Sequence, residues 1–489
     1  MPSYNGTAYP VSATQMGLAL ETTRGTAVAP TYWVPVKSPK YKPNLMLIPD
    51  ETLQGSQVQT YDLVTGIRYD GHGWDAPPYM DSFPILLAAE FGSPDNLVAA
   101  PTGGTITLSA SAAAGASVLA LTSTASAAIS ALSINNYFTI GAASAGTLET
   151  HQVASVASVS STAASVTLNE PLIYSAASGT TLPFLTTHRF SVLNNNYGAA
   201  NQPPSVTITD FSGEEWRQMT AAQLDQLTIK GNGTTLVDYT CTWFGNPATF
   251  PVTELSPASV GTNVLIFAAA SVVTNSGIAS NFYVQGPGIS GVATVASVNA
   301  ASVVLNSTNV NSTYLQASAT YFFSPNGSNL VDSSYGTTQT PAPWSLYAKL
   351  GGTYTPTIID WEVDFKRGVK PIAALTGQQQ YFTYFAGPLQ ATGKLTFVEQ
   401  NNSPELNAFL NAQTQSLDLT LFDQKGGSAL NIHASKMQFK TGELDRSKEY
   451  VEVMVEFDLL PTSTDALAGG VSPVIVSVAN SASASYYGA

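Results

Sequence analysis

The strongest chemical signal in this chain of 489 residues is a row of three carboxylates, Asp360, Glu362 and Asp364, in the stretch DWEVDFK. Alternate acidic residues of this kind begin a calcium-binding loop, in which oxygen ligands come from every second position. Such a loop also needs Gly at its sixth position and Glu at its twelfth, where this chain has Phe365 and Pro371. The row is therefore not predicted to bind calcium.

Other residues that could catalyse a reaction or ligate a metal are few and scattered. The histidines are His72, His151, His188 and His433, and the single cysteine is Cys241, so no zinc-binding spacing is present. The sequence contains no nucleophile elbow, phosphate-binding loop or dinucleotide-binding fingerprint. We therefore expect a protein that is not an enzyme, with no cofactor and no catalytic or metal-binding residue.

Composition restricts the partners of the chain. It has 18 Lys and Arg against 32 Asp and Glu, a net charge of -14, which gives no general attraction to nucleic acid or anionic membrane. The start, MPSYNGTAYPVSATQMG, lacks the cationic and apolar parts of a signal peptide, and the most apolar run, FPILLAAEF, is too short to span a bilayer. We expect a soluble protein made in a cytoplasm, with no membrane partner.

Two strands with alternating side chains carry most of the carboxylates of interest. DWEVDF and the later EYVEVMVEFD each set acidic residues on one face and apolar residues on the other, the period of a half-buried strand. The acidic face comprises Asp360, Glu362, Asp364, Glu452, Glu456 and Asp458. A cation cluster, Lys366, Arg367 and Lys370, follows the first strand. Similar short runs between turn residues, with few amphipathic helices, predict an all-β fold with a few short helices.

Two segments, 101–187 and 254–325, are almost uncharged and resemble each other. GASVLALTS matches GTNVLIFAA, NNYFTIG matches SNFYVQG, VASVASV matches VATVASV, and AASVTLN matches AASVVLN, in the same order. Disorder is the alternative for such Ser- and Ala-rich runs. The alternating Val, Leu, Ile and Phe instead favour two copies of a small β module inserted into a framework.

The framework outside the modules also repeats. VPVKSPKYKP resembles VDFKRGVKP, TLQGSQVQTY resembles ALTGQQQY, and each pair precedes a short helix. The first helix, DSFPILLAAEFG, is predicted to stop at Gly92, and the second, SPELNAFLNAQ, to have Ser403 as its N-cap and Pro404 as its first residue. Further on, a strand ending in Lys230 resembles one ending in Lys440. We interpret the framework as a β-sandwich domain that occurs twice.

The order of these motifs resembles the major tail tube proteins of long-tailed (siphovirus-type) bacteriophages. ETTRGTAVAPTYWVPV with the helix FPILLAAEFG is similar to their N-terminal part, DFKRGVKPIAALTGQQQYFTYFAGPLQATGKLTF to their second part, and GELDRSKEYVEVMVEFDLL to their closing hairpin. The likeness covers residues 14–100, 188–253 and 341–468. It implies two packed antiparallel sheets with a covering helix, in subunits that close into rings and stack into a hollow tube for DNA.

The resemblance also suggests how the chain is divided. The predicted parts are tube domain 1 (1–100 and 188–253), module 1 (101–187), module 2 (254–325), tube domain 2 (326–468) and a C-terminal arm (469–489). Most members of the family form rings of six subunits, and some with a duplicated domain form three-subunit rings of pseudo-sixfold symmetry. We expect a trimeric ring here, with a hexameric ring as the alternative.

The function implied by the resemblance is that of a structural protein of the virion, assembled in the host cytoplasm, whose stacked rings conduct DNA during genome ejection. Its partners would be further copies of the chain, the tape-measure, tail-tip and tail-terminator proteins, and DNA that passes without specific binding. An acidic wall would avoid the phosphate–cation contacts at which a duplex sticks. The acidic face is thus a candidate for the lumen or for contacts between rings, and the cation cluster for subunit contacts.

Two other classes of protein stay open. Ser- and Thr-rich β modules on an acidic β framework also suit a cell-surface or S-layer-like adhesin. Paired carboxylates would suit a carbohydrate-binding or carbohydrate-cleaving fibre protein. Electron microscopy distinguishes the three, because they would form hollow tubes, flat lattices and isolated particles respectively.

Overall fold

The structure is a computed structural model that describes residues 12, 14–52, 60–142, 145, 147–194, 202–211, 216–249, 253–274, 276, 278–290, 293–324, 340–375, 377, 379–399, 404–423, 427–447, 449–467 and 469–487. Strands dominate these residues and the helices are few and short, which confirms the predicted all-β fold class.

The strands are numbered in chain order. Their bounds are β1 Gln15–Leu20, β2 Tyr32–Val34, β3 Lys40–Asp50, β4 Asp62–Ala76, β5 Asn96–Val98, β6 Ile106–Leu108, β7 Val118–Ser123, β8 Tyr137–Ile140, β9 Glu149–Ser160, β10 Ala163–Leu168, β11 Phe184–Phe190, β12 Val206–Phe211, β13 Trp216–Asn232, β14 Asp238–Gly245, β15 Thr253–Leu255, β16 Ser259–Val260, β17 Val264–Ile266, β18 Tyr283–Gln285, β19 Ala293–Asn299, β20 Ser302–Leu305, β21 Tyr321–Ser324, β22 Leu346–Leu350, β23 Thr353–Tyr354, β24 Ile358–Lys366, β25 Lys370–Ile372, β26 Thr383–Phe385, β27 Gln390–Val398, β28 Thr414–Phe422, β29 Ala429–Asp445, β30 Glu452–Leu459 and β31 Ile475–Asn480.

The α-helices are α1 Phe83–Phe91, α2 Ser126–Ser130, α3 Ala270–Thr274 and α4 Pro404–Leu410. Helix α1 ends at Gly92, whose φ of 74° is left-handed, as the sequence predicted. All nine residues of α1 are buried, so the helix lies wholly inside its unit instead of presenting one apolar face. Helix α4 begins at Pro404 as predicted, whereas its predicted N-cap, Ser403, lies outside the described residues.

The chain divides into two compact units. The first comprises Met1–Val34, Val206–Ala222 and Gly245–Tyr335, and the second comprises Pro35–Ser205, Gln223–Phe244 and Gly336–Ala489. Module 2 therefore belongs to the first unit and module 1 to the second. In the first unit β1 pairs with β2 and β12, and β12 pairs with the beginning of β13.

The second unit contains two sheets that share the long strand β29. One runs β3–β4–β14–β13–β24–β27–β30–β29 in hydrogen-bonded order, and here β13 contributes its residues 223–232. The other runs β5–β11–β31–β29–β28–β22–β23 and uses the beginning of β29. Phe83 and Phe91 of α1 contact Tyr239 of β14 and Phe365 of β24, with ring centroids 5.2 Å apart in both pairs. The helix therefore packs on the buried face of the first sheet.

The two modules share one set of strand pairings. Module 1 pairs β6–β7–β10–β9–β8 and continues to β11, and module 2 pairs β16–β17–β20–β19–β18 and continues to β21. Asn135 and Asn281 both adopt a left-handed conformation, with φ of 68° and 67°. Their backbone amides donate to the carbonyls of Val153 and Val295. Two sequences with few charges therefore fold locally in the same way.

The framework halves share a longer set of pairings. The first half is ordered β1–β12–β13–β14–β4–β3, and the second is ordered β22–β28–β29–β30–β27–β24. In sequence, α1 lies between β4 and β12, and α4 lies between β27 and β28. Strands β13 and β29 both have 17 residues. This common topology indicates that one domain has been duplicated.

The β-bulges show which residues of the two halves correspond. Against β14, the register of β13 shifts at Asp225, and against β30 the register of β29 shifts at Lys440. A second shift occurs at Thr207 of β12 and at Ser416 of β28. Bulges are fixed features of a strand pair, so Asp225 corresponds to Lys440. The match of Lys230 with Lys440 drawn from the sequence is therefore wrong.

The C-terminal segment is part of the fold and not an arm. Strand β31 lies between β11 and β29, and all six of its residues are buried. The carbonyl oxygen of the Asn480 side chain lies 3.1 Å from His188 Nε2, and its amide donates to Met80 O. His188 Nδ1 is 2.6 Å from Asp95. A buried polar network thus joins β31 to the segment before module 1.

Candidate functional site

The alternation of β24 is as predicted. Trp361 is 3% exposed, Val363 and Phe365 are fully buried, and Asp360 and Glu362 are exposed on the opposite face. Asp364, on that opposite face, is half-buried. The hydroxyl of Thr228 and the amide of Gln226 hold it through hydrogen bonds of 2.6 and 2.8 Å. Trp361, Val363 and Phe365 therefore mark the buried face of the first sheet, and the three carboxylates of β24 mark its other face.

The exposed face of this sheet carries alternating charges instead of a continuous acidic surface. Across neighbouring strands Lys230 lies opposite Glu362, Glu362 opposite Lys394, and Lys394 opposite Glu456. Asp458, near the end of β30, lies 3.6 Å from the ammonium of Lys440. We refer to this row and its neighbours on β13, β24, β27, β30 and β29 as the charged face.

The sequence missed the lysines of the charged face. Lys394 lies beside Gly393, where an added Cβ would come within 2.3 Å of the Phe457 ring and 2.5 Å of Glu362 O. Only glycine fits this close approach of β24, β27 and β30. The alternation in ATGKLTF was the signal in the sequence, because it places Lys394 on the other face of the strand from the apolar residues.

One of the predicted acidic residues, Glu452, is buried instead of exposed on the charged face. Glu452 is 2% exposed at the first position of β30, where it pairs with Val398 and Asp445. Its parity in the sequence matched that of Glu456 and Asp458, but burial at the strand end removes it from solvent. Glu452 is therefore excluded as a lumen or inter-ring residue.

The predicted cation cluster is also divided. Lys366 and Lys370 are exposed, whereas Arg367 is 7% exposed. Its guanidinium donates to the backbone carbonyls of Glu90, Phe91 and Gly387 at 2.7, 2.8 and 3.3 Å. The first two carbonyls are at the C-terminal end of α1, where a cation is favourable. Arg367 is thus a helix-capping residue inside the protein and not a subunit contact.

Glu90 lies fully buried at the same helix end. Neither oxygen of its carboxyl has a hydrogen-bond partner among the described residues. Burial raises the pKa of this carboxyl well above its ordinary value of 4.5, although the charge of Arg367 opposes the shift. The folded protein therefore favours the neutral acid.

We predict that Glu90→Gln stabilises the protein at neutral pH but not in acid. A raised folded pKa means that the stabilising contribution is complete below the unfolded pKa and is lost as the pH rises toward the folded pKa. Gln imitates the protonated acid, so the variant should gain about 1.4 kcal/mol for each pH unit within that window. Thermal unfolding from about pH 4 to 7 measures the difference. Exposed Glu362→Gln is the control, and equal pH profiles of the two variants would contradict the prediction.

A His-Ser-Asp cluster on β29 and β28 resembles a catalytic triad in composition only. His433 Nδ1 lies 2.6 Å from Asp418, and Nε2 lies 3.2 Å from the Ser435 hydroxyl. That hydroxyl donates its proton to Asp465 at 2.6 Å. Burial lowers the pKa of His433, but Asp418 and Asp465 outweigh this effect and raise it. Because Nδ1 faces the Asp418 carboxylate and the Ser435 proton goes to Asp465, the imidazole has no free lone pair with which to activate the serine.

The joint between β13 and β24 connects the two halves of the framework. Residues 226–232 of β13 pair with residues 366–360 of β24 in antiparallel register. Each of these strands also pairs inside its own half, with β14 and β27 respectively. At this joint Leu227 and Ile229 of β13 are fully buried. The two sheets of the repeat thus continue into each other, edge to edge.

The outer ends of this sheet differ from the joint. By the topology of the halves, β3 corresponds to β24, and residues 441–445 of β29 correspond to β13 at the joint. In the described part of the chain β3 pairs with β4, β29 at 441–445 pairs with β30, and neither has a second strand beside it. Gly442 and Leu444, which correspond to buried Leu227 and Ile229, are only half-buried.

The described residues contain no group of three or more His, Cys, Asp and Glu arranged to hold a metal ion. In the same part of the chain, no helix has the length and apolar character needed to cross a bilayer. No protein-family model matches the sequence, and its comparison with characterised proteins gives no significant match.

Proposed function

We propose that this chain is a structural protein that joins copies of itself into closed rings, which stack into a hollow tube for DNA in the tail of a long-tailed phage. The proposal rests on one observation. The two copies of the duplicated domain are joined by the pairing of β13 with β24, and the corresponding strands at the outer ends of the sheet, β29 and β3, have no further strand beside them in the described part of the chain. A further copy of the chain can repeat that joint at either end.

The geometry of such a joint favours a ring. The edge offered by β29 differs from the edge offered by β3, so the contact is head-to-tail, and head-to-tail contacts form rings when the rotation closes. Unpaired strand edges are templates for added strands, and closure into a barrel removes them. Half-buried Leu444 would become buried when the next copy is added, as Ile229 is at the internal joint.

The charged face suits a channel that carries DNA without holding it. Each lysine in the row Lys230–Glu362–Lys394–Glu456 has a carboxylate on a neighbouring strand. Nearby carboxylates compete with phosphate for each ammonium, which limits the counterion release that drives DNA binding. We propose that this face lines the lumen. A face with alternating charges also has a smaller net field than the acidic wall expected from the sequence.

The hairpin of β3 and β4 offers a surface for contacts between rings. Its outer part carries exposed apolar side chains on both strands: Leu45, Met46, Leu47, Ile48, Leu63 and Val64, each between 45% and 56% exposed. Exposed apolar side chains gathered on one hairpin are typical of a protein–protein contact. We propose that it packs on an adjacent ring of the tube. Neither an adhesin lattice nor an isolated fibre requires such a hairpin.

We predict stacked rings with an axial channel when purified protein, or the particle that contains it, is viewed by electron microscopy. Two tube domains in each chain should give three chains per ring with pseudo-sixfold symmetry, because six chains would place twelve domains around a much wider channel. Top views and helical reconstruction measure the symmetry. Rings of six chains would disprove the trimer, and flat lattices or persistent monomers would contradict the tube itself.

A further inference from the structure

We propose that the joint between copies uses a charge pattern reversed from that of the internal joint, with Asp445 of one copy opposite Lys40 of the next, and Glu443 opposite Lys42. This inference rests on the proposed function, because it specifies the contact by which copies join. It follows from the register of the two halves and from the side chains that occupy corresponding positions.

The first step is the correspondence of β3 with β24. Tyr41 pairs with His72 in the first half, and Val363 pairs with Gly393 in the second. In both strands these residues point toward the covered side of the sheet, since Tyr41 is half-buried and bonds to buried Asp70, and Val363 is fully buried. The neighbouring positions then match: exposed Lys40 and Lys42 take the places of Glu362 and Asp364.

The second step is the correspondence of β29 with β13. From the bulges at Asp225 and Lys440, three further residues along each strand lead to Thr228 and Glu443. Two residues beyond these lie Lys230 and Asp445. The sequence thus places carboxylates on β29 at the positions where β13 has a hydroxyl and an ammonium.

The pairing of β13 with β24 at the internal joint shows which residues of the two edges would lie opposite each other in a joint between copies. There Lys230 lies opposite Glu362, and Thr228 lies opposite Asp364 with a hydrogen bond of 2.6 Å. Transferring the same register to the outer edges puts Asp445 opposite Lys40 and Glu443 opposite Lys42. Both new cross-strand pairs have opposite charges, which is the favourable arrangement on a sheet face.

The reversed pattern also selects against wrong joints. If β29 paired with β24 of another copy, Asp445 would face Glu362 and Glu443 would face Asp364. If β13 paired with β3 of another copy, Lys230 would face Lys40. Like charges directly opposite each other on a sheet are destabilising, so each edge has one favourable partner. Opposed charges therefore keep the internal joint and the joint between copies from exchanging partners.

Charge reversal tests this pairing. The double variant Glu443→Lys/Asp445→Lys should raise the protein concentration needed for ring formation by at least about tenfold, because two attractive pairs become repulsive. Adding Lys40→Glu/Lys42→Glu to the same chain restores opposite charges and should restore assembly. Exposed Lys436→Glu on the same strand is the control for a change of charge, and it should assemble normally. Thermal unfolding of each variant checks that the protomer is intact.

Cysteine pairs test the register itself. Chains with Lys42→Cys mixed with chains with Glu443→Cys should form a disulfide between copies, because directly opposite residues fall within disulfide range. Lys42→Cys mixed with Thr441→Cys tests a register shifted by two residues and should form much less. Burial raises the pKa of native Cys241 well above its ordinary value, so it should not interfere.

The outcomes separate this inference from the proposed function. If the native chain forms no rings under any condition, the proposed function fails. If the native chain forms rings but the charge-restored variant does not, or if the disulfide forms at Thr441→Cys instead of Glu443→Cys, the function stands and the reversed-charge joint is overturned.

Discussion

Replacing Arg367 with Met is expected to destabilise the protein by about 3–5 kcal/mol, because buried hydrogen bonds from a charged donor, each worth about 1.5–3 kcal/mol, would be lost. The side chain is 7% exposed, and its guanidinium donates to three backbone carbonyls. Met keeps the aliphatic volume but provides no donor. The carbonyl of Glu90 at the end of α1 would then lose its partner inside the protein, and a buried group left unsatisfied costs about 1–3 kcal/mol. The carbonyl of Phe91 would keep only the amide of Leu193.

The midpoint of urea-induced unfolding measures this loss. Lys366→Met is the matched control, because Lys366 is the last residue of β24, directly precedes Arg367 in the chain and is exposed. It should change stability by no more than about 0.5 kcal/mol. If Arg367→Met unfolds at the same urea concentration as the control, the guanidinium bonds contribute nothing, and the cation could again be considered for a subunit contact.

The different roles of these two neighbours could be read from the sequence. The alternation that sets Trp361, Val363 and Phe365 inward reaches Arg367 at its next step, and Lys366 falls on the outer face. The local composition KRGVK suggested instead a cluster of surface cations. Period-two geometry is fixed by the strand, whereas composition describes only average burial, so the geometry correctly identifies the inward residue.

The neighbours of the carboxylates could not be read in the same way. Glu362 is flanked by Lys230 and Lys394, on strands distant from each other in sequence. Alternation predicts which face each residue occupies, but the order of strands in a sheet depends on tertiary packing. The charged face therefore looked uniformly acidic from the sequence and proved to alternate. The register of the repeat was misjudged for a related reason: short matches between sequences do not show where a bulge adds a residue.

The C-terminal segment illustrates the same limit. Nothing local in SPVIVSVAN reveals which strands it joins, and a run of six buried residues with no acidic or basic side chain is typical of a central strand. In the structure β31 fills the place between β11 and β29, which would otherwise be two edges of a broken sheet. We therefore expect the segment to be essential for folding of the second unit.

Val478→Asp should show this with a larger effect than any other change considered, a loss of more than about 4 kcal/mol that leaves little folded protein. Val478 is fully buried and pairs with His188 on one side and Leu430 on the other. A carboxylate there would lose its hydration without gaining a cation, because His188 already bonds to Asp95. Val471→Asp is the matched control, since Val471 is 51% exposed. Soluble yield and thermal unfolding measure both variants. A Val478→Asp protein as soluble and stable as the control would mean that the last residues form a peripheral arm after all, as the sequence had suggested.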